Sequence, residues 1–329
     1  MRYLMLTLHP AIDRVIEVER WVPGGTFDGR LKLTVPSGKG INTARALRGL
    51  LAQKDRTQIH AAAWVGRGEA EWFREKLKRE AIAFQAIPRT CATRSATTFL
   101  EANGRETHVK ELMPEPSLEE CESLVYGCLN FPKSKVAALC GSAPPDTLHG
   151  WLDIVVETVR EQASWVIADT NGPLLEAAGR AGLAGLKGNA AEIGAWLGLK
   201  SPVHPGNKAH MKALRNAVQI ENRKSKIENA PRSILITLGA HGAVLATAKG
   251  LWLAQPPRFP KRMIQSATGC GDAATAGWMW GLAEGCSPAE CLRRAVACGT
   301  AKLASADPGG LDGTLARKLL RATRATLLP

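Results

Sequence analysis

Most of the common special-purpose classes are excluded by what this chain of 329 residues lacks. Its eight cysteines (91, 121, 128, 140, 270, 286, 291 and 298) contain no Cys-x-x-Cys pair and have no histidine at finger spacing, which argues against a structural zinc site. Most read as reduced core thiols: Cys140 ends an apolar run and Cys298 sits in Ala295-Val296-Ala297-Cys298, settings where cysteine acts as a small hydrophobe. The opening residues 1–8 give only a short apolar run that meets Pro10 and Asp13, so neither a signal h-region nor a spanning helix is expected there, and a cytoplasmic protein without membrane partners is. Basic runs are also missing. The formal charge of +13 and pI near 9.6 come from lysines and arginines scattered singly or in pairs, never five or six together. A nucleic-acid partner would also call for exposed aromatic platforms among the basic residues, and most of the nine tryptophans lie in apolar or helical segments. Scattered positive charge of this kind attracts small polyanions instead. Internal repeats and low-complexity tracts are absent as well.

The chain is long enough to bury a substantial core without staples. Short apolar runs at 3–8, 59–65, 136–140, 165–168 and 234–238 read as buried strands. Between them, residues 41–51, 148–159 and 211–220 repeat apolar side chains at three and four, as amphipathic helices do. This alternation predicts a three-layer, doubly wound α/β fold on a mostly parallel sheet, the whole forming a single domain over 1–329. Two segments depart from the rhythm. Residues 15–35, with Pro23-Gly24-Gly25, and 95–112, with Asn103-Gly104, read as hairpins whose four strands pair into a small β-sheet lid inserted at about 13–35 and 94–112. The polar stretch 201–232 reads as a surface excursion around one helix.

The strongest chemical signal is Ala267-Thr268-Gly269-Cys270-Gly271-Asp272-Ala273-Ala274-Thr275-Ala276-Gly277, which runs straight into apolar residues 278–282. Glycines let backbone N–H groups converge, and the following helix offers its positive end to an anion, so this segment is a phosphate cradle with a carboxylate in it. Phosphoryl transfer needs little more than a nest for the moving charge and a base for the attacking hydroxyl. Taken by itself, Gly-x-Gly-Asp is equally the start of a capped helix. A second glycine-rich turn, Val35-Pro36-Ser37-Gly38-Lys39-Gly40-Ile41-Asn42-Thr43-Ala44, also opens a helix, without the spacing of a P-loop; alone it too reads as an ordinary helix start.

Together these two segments resemble the two signatures of the phosphofructokinase-B family within the ribokinase-like carbohydrate kinases. Further motifs follow in the family's order: His9-Pro10-Ala11-Ile12-Asp13, Thr93-Arg94, Gly141-Ser142-Ala143-Pro144-Pro145, Asp169-Thr170-Asn171-Gly172, Lys187-Gly188-Asn189-Ala190-Ala191-Glu192 and Thr237-Leu238-Gly239-Ala240-His241-Gly242. The resemblance implies ATP and Mg, with Asp272 as catalytic base and Gly269, Cys270 and Gly271 as the anion hole. It assigns Asp13, Gly38, Lys39, Asn42, Arg94 and Ser142 to the sugar phosphate. Lys187, Asn189, Glu192, Thr237, Gly239, Gly242, Val296, Gly299 and Thr300 fall to the nucleotide, with Asn189 and Glu192 ordering Mg-bound water and no protein ligand touching the metal directly. Helix packing accounts equally well for Val296 and Gly299, and a first-turn carboxylate for Glu192.

Two of the four departures from the family's pattern lie at the implied sugar end. His9 replaces asparagine and Ser37 the first glycine of a pair; elsewhere Gly188 replaces proline, and Ala274 stands where a bulkier residue is usual. Lys39 after the glycines resembles the 1-phosphofructokinase and tagatose-6-phosphate kinase branch, which implies a ketohexose phosphate: fructose 1-phosphate, fructose 6-phosphate or tagatose 6-phosphate. The lid's exposed apolar face predicts a homodimer. Two other readings use the same residues: a non-catalytic sugar-phosphate or nucleotide sensor on this fold, and a kinase of an unphosphorylated sugar or nucleoside. A dinucleotide oxidoreductase is disfavoured because Val65-Gly66-Arg67-Gly68 lacks the third glycine and the later acid of that fingerprint.

Overall fold

The computed structural model describes residues 2–144, 149–218 and 232–329. In chain order it begins with β1 (Tyr3–Thr7), β2 (Ala11–Val18), β3 (Arg30–Ser37), α1 (Lys39–Leu50), β4 (Ile59–Gly66), α2 (Ala70–Arg79), β5 (Ala83–Arg89), β6 (Ser95–Glu101) and β7 (Glu106–Lys110). The middle of the chain supplies α3 (Leu118–Leu129), β8 (Ser134–Cys140), α4 (His149–Glu161), β9 (Ala163–Asp169), α5 (Gly172–Arg180), β10 (Gly185–Asn189), α6 (Ala190–Trp196) and α7 (Lys208–Val218). The last third adds β11 (Ser233–Thr237), β12 (Ala243–Thr247), β13 (Gly250–Gln255), α8 (Cys270–Ala283), α9 (Pro288–Lys302), α10 (Gly313–Ala322) and β14 (Arg324–Leu328).

Ten strands form one sheet in the order β14-β13-β12-β11-β10-β9-β8-β1-β4-β5, parallel from β5 through β11 and antiparallel from there to β14. Alternation along the strands splits the core in two. Tyr3 and Met5 of β1 and Ala61, Ala63 and Val65 of β4 join one buried cluster, with α1, α2, α8, α9 and α10. Leu4 and Leu6, Ala62 and Trp64 point into the other, beneath α3, α4, α5, α6 and α7. A strand buried on both faces needs apolar residues throughout, which is why β1 and β4 read as unbroken runs. The result is the three-layer, doubly wound α/β arrangement that the alternation predicts.

The remaining four strands pair separately in the order β3-β2-β6-β7, so the two hairpins do join into one small sheet, through a parallel β2–β6 contact. Arg45 of α1 ties this sheet to the main body: its guanidinium donates to Pro36 O at 2.7 Å and grips Glu80 with two bonds of 2.7 and 2.8 Å.

One expectation changes. Within 201–232, α7 is not an excursion, because Met211, Leu214, Ala217 and Val218 bury their side chains against the sheet. The three-and-four apolar spacing read over 211–220 decides its placement against the polar residues around it. Residues 219–231 of that stretch, like residues 145–148, lie outside those described. All eight cysteines are free thiols, five of them buried, including Cys140 and Cys298. No described helix is long and apolar enough to cross a membrane.

Candidate active site

The sequence motifs converge at the carboxyl ends of the parallel strands, where open α/β sheets bind their ligands. Gly141 and Ser142 follow β8, Asp169 ends β9, Asn189 ends β10 and Thr237 ends β11. The N-termini of α1 and α8 point to the same edge, held by the contact of Thr43 Oγ1 with Asp272 O at 3.4 Å.

Gly269 precedes α8 with φ 84°, a left-handed conformation, and a Cβ there would stand 1.9 Å from Pro308 O. Only glycine fits both demands. Asp272 follows in the first turn and is buried, with Asn42 Nδ2 donating to its Oδ2 at 3.1 Å. Burial raises its pKa, and so does the negative charge of Asp169; Lys187, Lys39 and the Asn42 hydrogen bond oppose them, leaving Asp272 pushed up to about 6. A carboxylate tuned toward neutrality, fixed at one oxygen and set beside a glycine nest, suits proton removal from a hydroxyl.

Asp169 is the hub of the charge network and is fully buried. Lys187 Nζ lies 2.8 Å from Oδ2 and Lys39 Nζ 3.1 Å from Oδ1, while Thr275 Oγ1 donates to Oδ2 at 2.5 Å. Burial would raise its pKa, but the two ammonium groups and the hydrogen bonds from Lys187 and Thr275 hold it well below the usual carboxylate range. In return Asp169, more than burial can offset, raises the pKa of Lys39. A Cβ on Gly271 would stand 3.2 Å from Lys187 Nζ, so the glycine leaves that ammonium beside the nest. Sequence reading assigned Asp169 no role. Its signal was the Asp-x-x-Gly at the end of β9, but its partners Lys39 and Lys187 lie 130 and 18 residues away and meet it only through the sheet order.

The sugar end is built differently. His9 Nδ1 lies 3.1 Å from Ser142 Oγ, and its Nε2 is buried without a partner. Burial, then the charges of Arg94 and Arg89, push the imidazole down to about 4, so it is neutral at physiological pH. Arg94 donates to Pro10 O and His9 O at 3.3 Å each, and desolvation lowers its pKa while Asp13 works the other way. Desolvation raises the pKa of Asp13, against a hydrogen bond from Ser37 and the charges of Arg45, Arg94 and Lys110. Gly38 has φ 129° and packs against Thr7 and Pro10.

On the other side, Asn189 and Glu192 form a reciprocal cap of α6: Asn189 Oδ1 accepts from Ala191 N and Glu192 N, and Glu192 Oε2 accepts from Asn189 N at 2.7 Å. Glu192 Oε1 keeps one long contact, 3.4 Å from Asn171 Nδ2. Gly239 and Gly242 turn the chain between β11 and β12 with φ 59° and 92°, and Thr237 Oγ1 contacts Gly188 O at 3.5 Å. Val296 and Thr300 are buried in α9, where Thr300 Oγ1 bonds back to Val296 O at 2.8 Å; Gly299 lets α9 approach Cys270 O. Packing accounts for these three positions as they stand. Among the described residues, no three His, Cys, Asp or Glu side chains converge as metal ligands.

A buried carboxylate tuned toward neutrality, behind a glycine turn at the carboxyl edge of an open α/β sheet, fits a phosphotransferase, the class to which fold and site point. The profile of the family described as "pfkB family carbohydrate kinase" matches residues 16–310, and the chain belongs to that family. It is a sugar kinase. Similar proteins include the 1-phosphofructokinase of Bacillus subtilis (strain 168), 24% identical over 306 residues and covering 92% of this chain and 93% of the relative. The 1-phosphofructokinase of Xanthomonas campestris pv. campestris is 27% identical over 319 residues, covering 93% and 92%. Among solved structures, the tetrameric inhibited form of phosphofructokinase-2 from Escherichia coli shares the fold with a TM-score of 0.82 at 23% identity, over 97% of this chain and 98% of that one.

Proposed function

We propose that this kinase, acting as one domain, transfers the γ-phosphoryl group of ATP to a free hydroxyl of a ketohexose phosphate, with fructose 1-phosphate as the first acceptor to test. The observation that carries the reading is Asp272: buried, raised toward neutrality, oriented by Asn42 and seated in the first turn behind Gly269 and Gly271. Its carboxylate takes the proton of the attacking hydroxyl as the oxygen approaches the γ-phosphorus. The N–H groups of residues 269–271, that of Cys270 on release from Ala267 O, to which it donates at 3.3 Å, receive with Lys187 the charge that develops on the transferred oxygens. Lys39 and Lys187 share the single carboxylate of Asp169, so the cluster keeps one net positive charge held in place beside Asp272.

The acceptor lies between Asp13, which takes two sugar hydroxyls, and Arg94, which with Lys39 and Ser142 takes the phosphate. A neutral sugar needs no guanidinium there. The relatives' name, 1-phosphofructokinase, puts fructose 1-phosphate ahead of fructose 6-phosphate and tagatose 6-phosphate. Mg fits as a companion of the nucleotide: it screens phosphate charge, and the Glu192 oxygen with only one long contact, beside Asn189, is placed to order its water. Thr237, Gly239 and Gly242 line the nucleotide's phosphates and ribose, and α9 backs its base. Lid closure excludes water from the transfer.

The lid leaves Leu31, Val109 and Leu112 exposed at 54%, 48% and 88%, which supports pairing of two chains through the lids. Light scattering should give twice the mass of the 35.2 kDa chain; a monomer carrying full activity would remove that part.

The functional test is ADP release with Mg-ATP against fructose 1-phosphate, fructose 6-phosphate, tagatose 6-phosphate, fructose, ribose and adenosine. Turnover confined to one phosphorylated ketohexose is the expected result. Turnover only with an unphosphorylated acceptor would overturn the roles of Lys39 and Arg94, and binding without turnover on any acceptor would favour a sensor.

A further inference from the structure

At the opposite end of α1 from Lys39 and Asn42 lies a solvent-open pocket of about 590 Å³ that the proposed reaction does not use. Nine residues separate Arg48 from Lys39, so about 14 Å of helix lies between the two places. Arg48, Arg56 and Arg317 line it, together with Leu51, Leu311 and Asp312. Three guanidiniums against one carboxylate give the lining a net charge of +2.

None of the three arginines has a carboxylate within ion-pair distance among the described residues, whereas the two most deeply buried arginines, Arg45 and Arg89, are each paired with a glutamate. Arg48 gives one bond, to Glu80 O at 3.3 Å, and Arg317 donates to Gly313 O and Leu50 O. These carbonyl acceptors fix the side chains and leave their charges uncompensated. The Nε–H groups of Arg48 and Arg56 are both buried without a partner, a costly state for a donor of a charged group. Asp312, the acidic residue of the lining, has its Oδ1 occupied as the cap of α10, accepting from Thr314 N at 2.8 Å and Leu315 N at 3.2 Å.

We propose that this cavity is a second anion site, taking a small metabolite that carries at least two phosphate groups. Planar guanidiniums match phosphate oxygens in pairs, and the volume exceeds what one inorganic phosphate fills. No aromatic residue lines the cavity, so nothing there stacks a base, and a phosphorylated polyol or sugar fits better than a nucleotide. The walls are rigid: a Cβ on Gly49 would stand 2.1 Å from Leu311 O, and one on Gly313 would stand 2.2 Å from Gly49 O, so α1 and α10 meet backbone to backbone at this point. This site does not depend on the assignment of the reaction.

The test is calorimetric titration of the full-length protein with sodium pyrophosphate and with inorganic phosphate, comparing wild type, Arg56→Glu and Arg48→Ala/Arg56→Ala. Arg56 makes no side-chain bond in the described structure, so Arg56→Glu keeps the test alive if the double variant melts early. Pyrophosphate should bind wild type saturably and more tightly than phosphate. A component of that binding should weaken about tenfold or more in either folded variant, as loss of a charge-assisted pair requires. Binding that is unchanged in Arg56→Glu, or no saturable binding to wild type, would overturn the proposal.

Discussion

The two ends of the cleft are finished to different degrees. Around Asp169 nearly every donor has its acceptor: two ammonium groups and a hydroxyl converge on one carboxylate within 3.1 Å, and Asp272 is steadied from one side by Asn42. Around His9 the polar groups are only half matched, with His9 Nε2 and Asn42 Oδ1 buried and unpartnered and Arg94 held by carbonyls at 3.3 Å. Buried charge in the first region is stabilised by the protein itself, as it must be if the electrostatics of transfer are to be set before the substrate arrives. In the second region the missing partners match a sugar phosphate in kind: acceptors for hydroxyls in Asp13 and Asn42, a donor fork for phosphate in Arg94. Pre-organisation at one end and unmet polar capacity at the other is the division of labour expected of an enzyme that binds at one place and reacts at the next.

The comparison breaks in graded ways. Asp272→Asn keeps the shape and removes the base, so turnover should fall by about 10³-fold with the protein still folded, measured as ADP release beside a melting curve. Asp169→Asn leaves Lys187 and Lys39 without their counter-charge, and a buried pair broken on one side costs about 3–5 kcal/mol, read as a lower denaturant midpoint. Arg94→Ala touches the other end and should raise KM for the sugar phosphate about 10- to 100-fold, with kcat much less affected and no comparable loss of stability. Equal destabilisation by Arg94→Ala and Asp169→Asn would erase the distinction between the two regions. Glu192→Gln, whose carboxylate also caps α6, should have the smallest effect: a few-fold higher Mg-ATP requirement and about 1 kcal/mol of lost stability.

What was legible in advance followed from local chemistry. Unbroken apolar runs placed β1, β4, β8, β9 and β11, and Pro-Gly-Gly and Asn-Gly marked the hairpins of the lid, because such signals act over a few residues. Glycines at 38, 269 and 271 pointed to helix starts that face one edge. The antiparallel extension β12–β14 was not read in advance, and its last strand, β14, is largely exposed and so has no unbroken apolar run. The Asp169 hub was hidden for another reason: a lone aspartate at a strand end has no local feature that reports two lysines brought to it by sheet order. The stripe on α7 was legible over 211–220, but the polar, Pro- and Gly-punctuated residues around it pointed to the surface, whereas burial follows the one apolar face.

The central claim is that Asp272 is a buried carboxylate poised near neutrality for proton removal. It is tested most directly by following stability and turnover of wild type and Asp272→Asn together across pH 4 to 8. The native pKa of Asp272, about 6, lies above its ordinary value of 3.8, so protonation favours folding; that stability is fully present below about 3.8 and is lost as pH rises from there through about 6. The account predicts that Asp272→Asn gains stability relative to wild type as pH climbs from about 4 to about 6 and keeps that advantage above it, while wild-type kcat/KM falls about tenfold per pH unit below 6 and the variant stays nearly inactive throughout. A variant that keeps most of the activity, or a stability difference that does not change with pH, would contradict it.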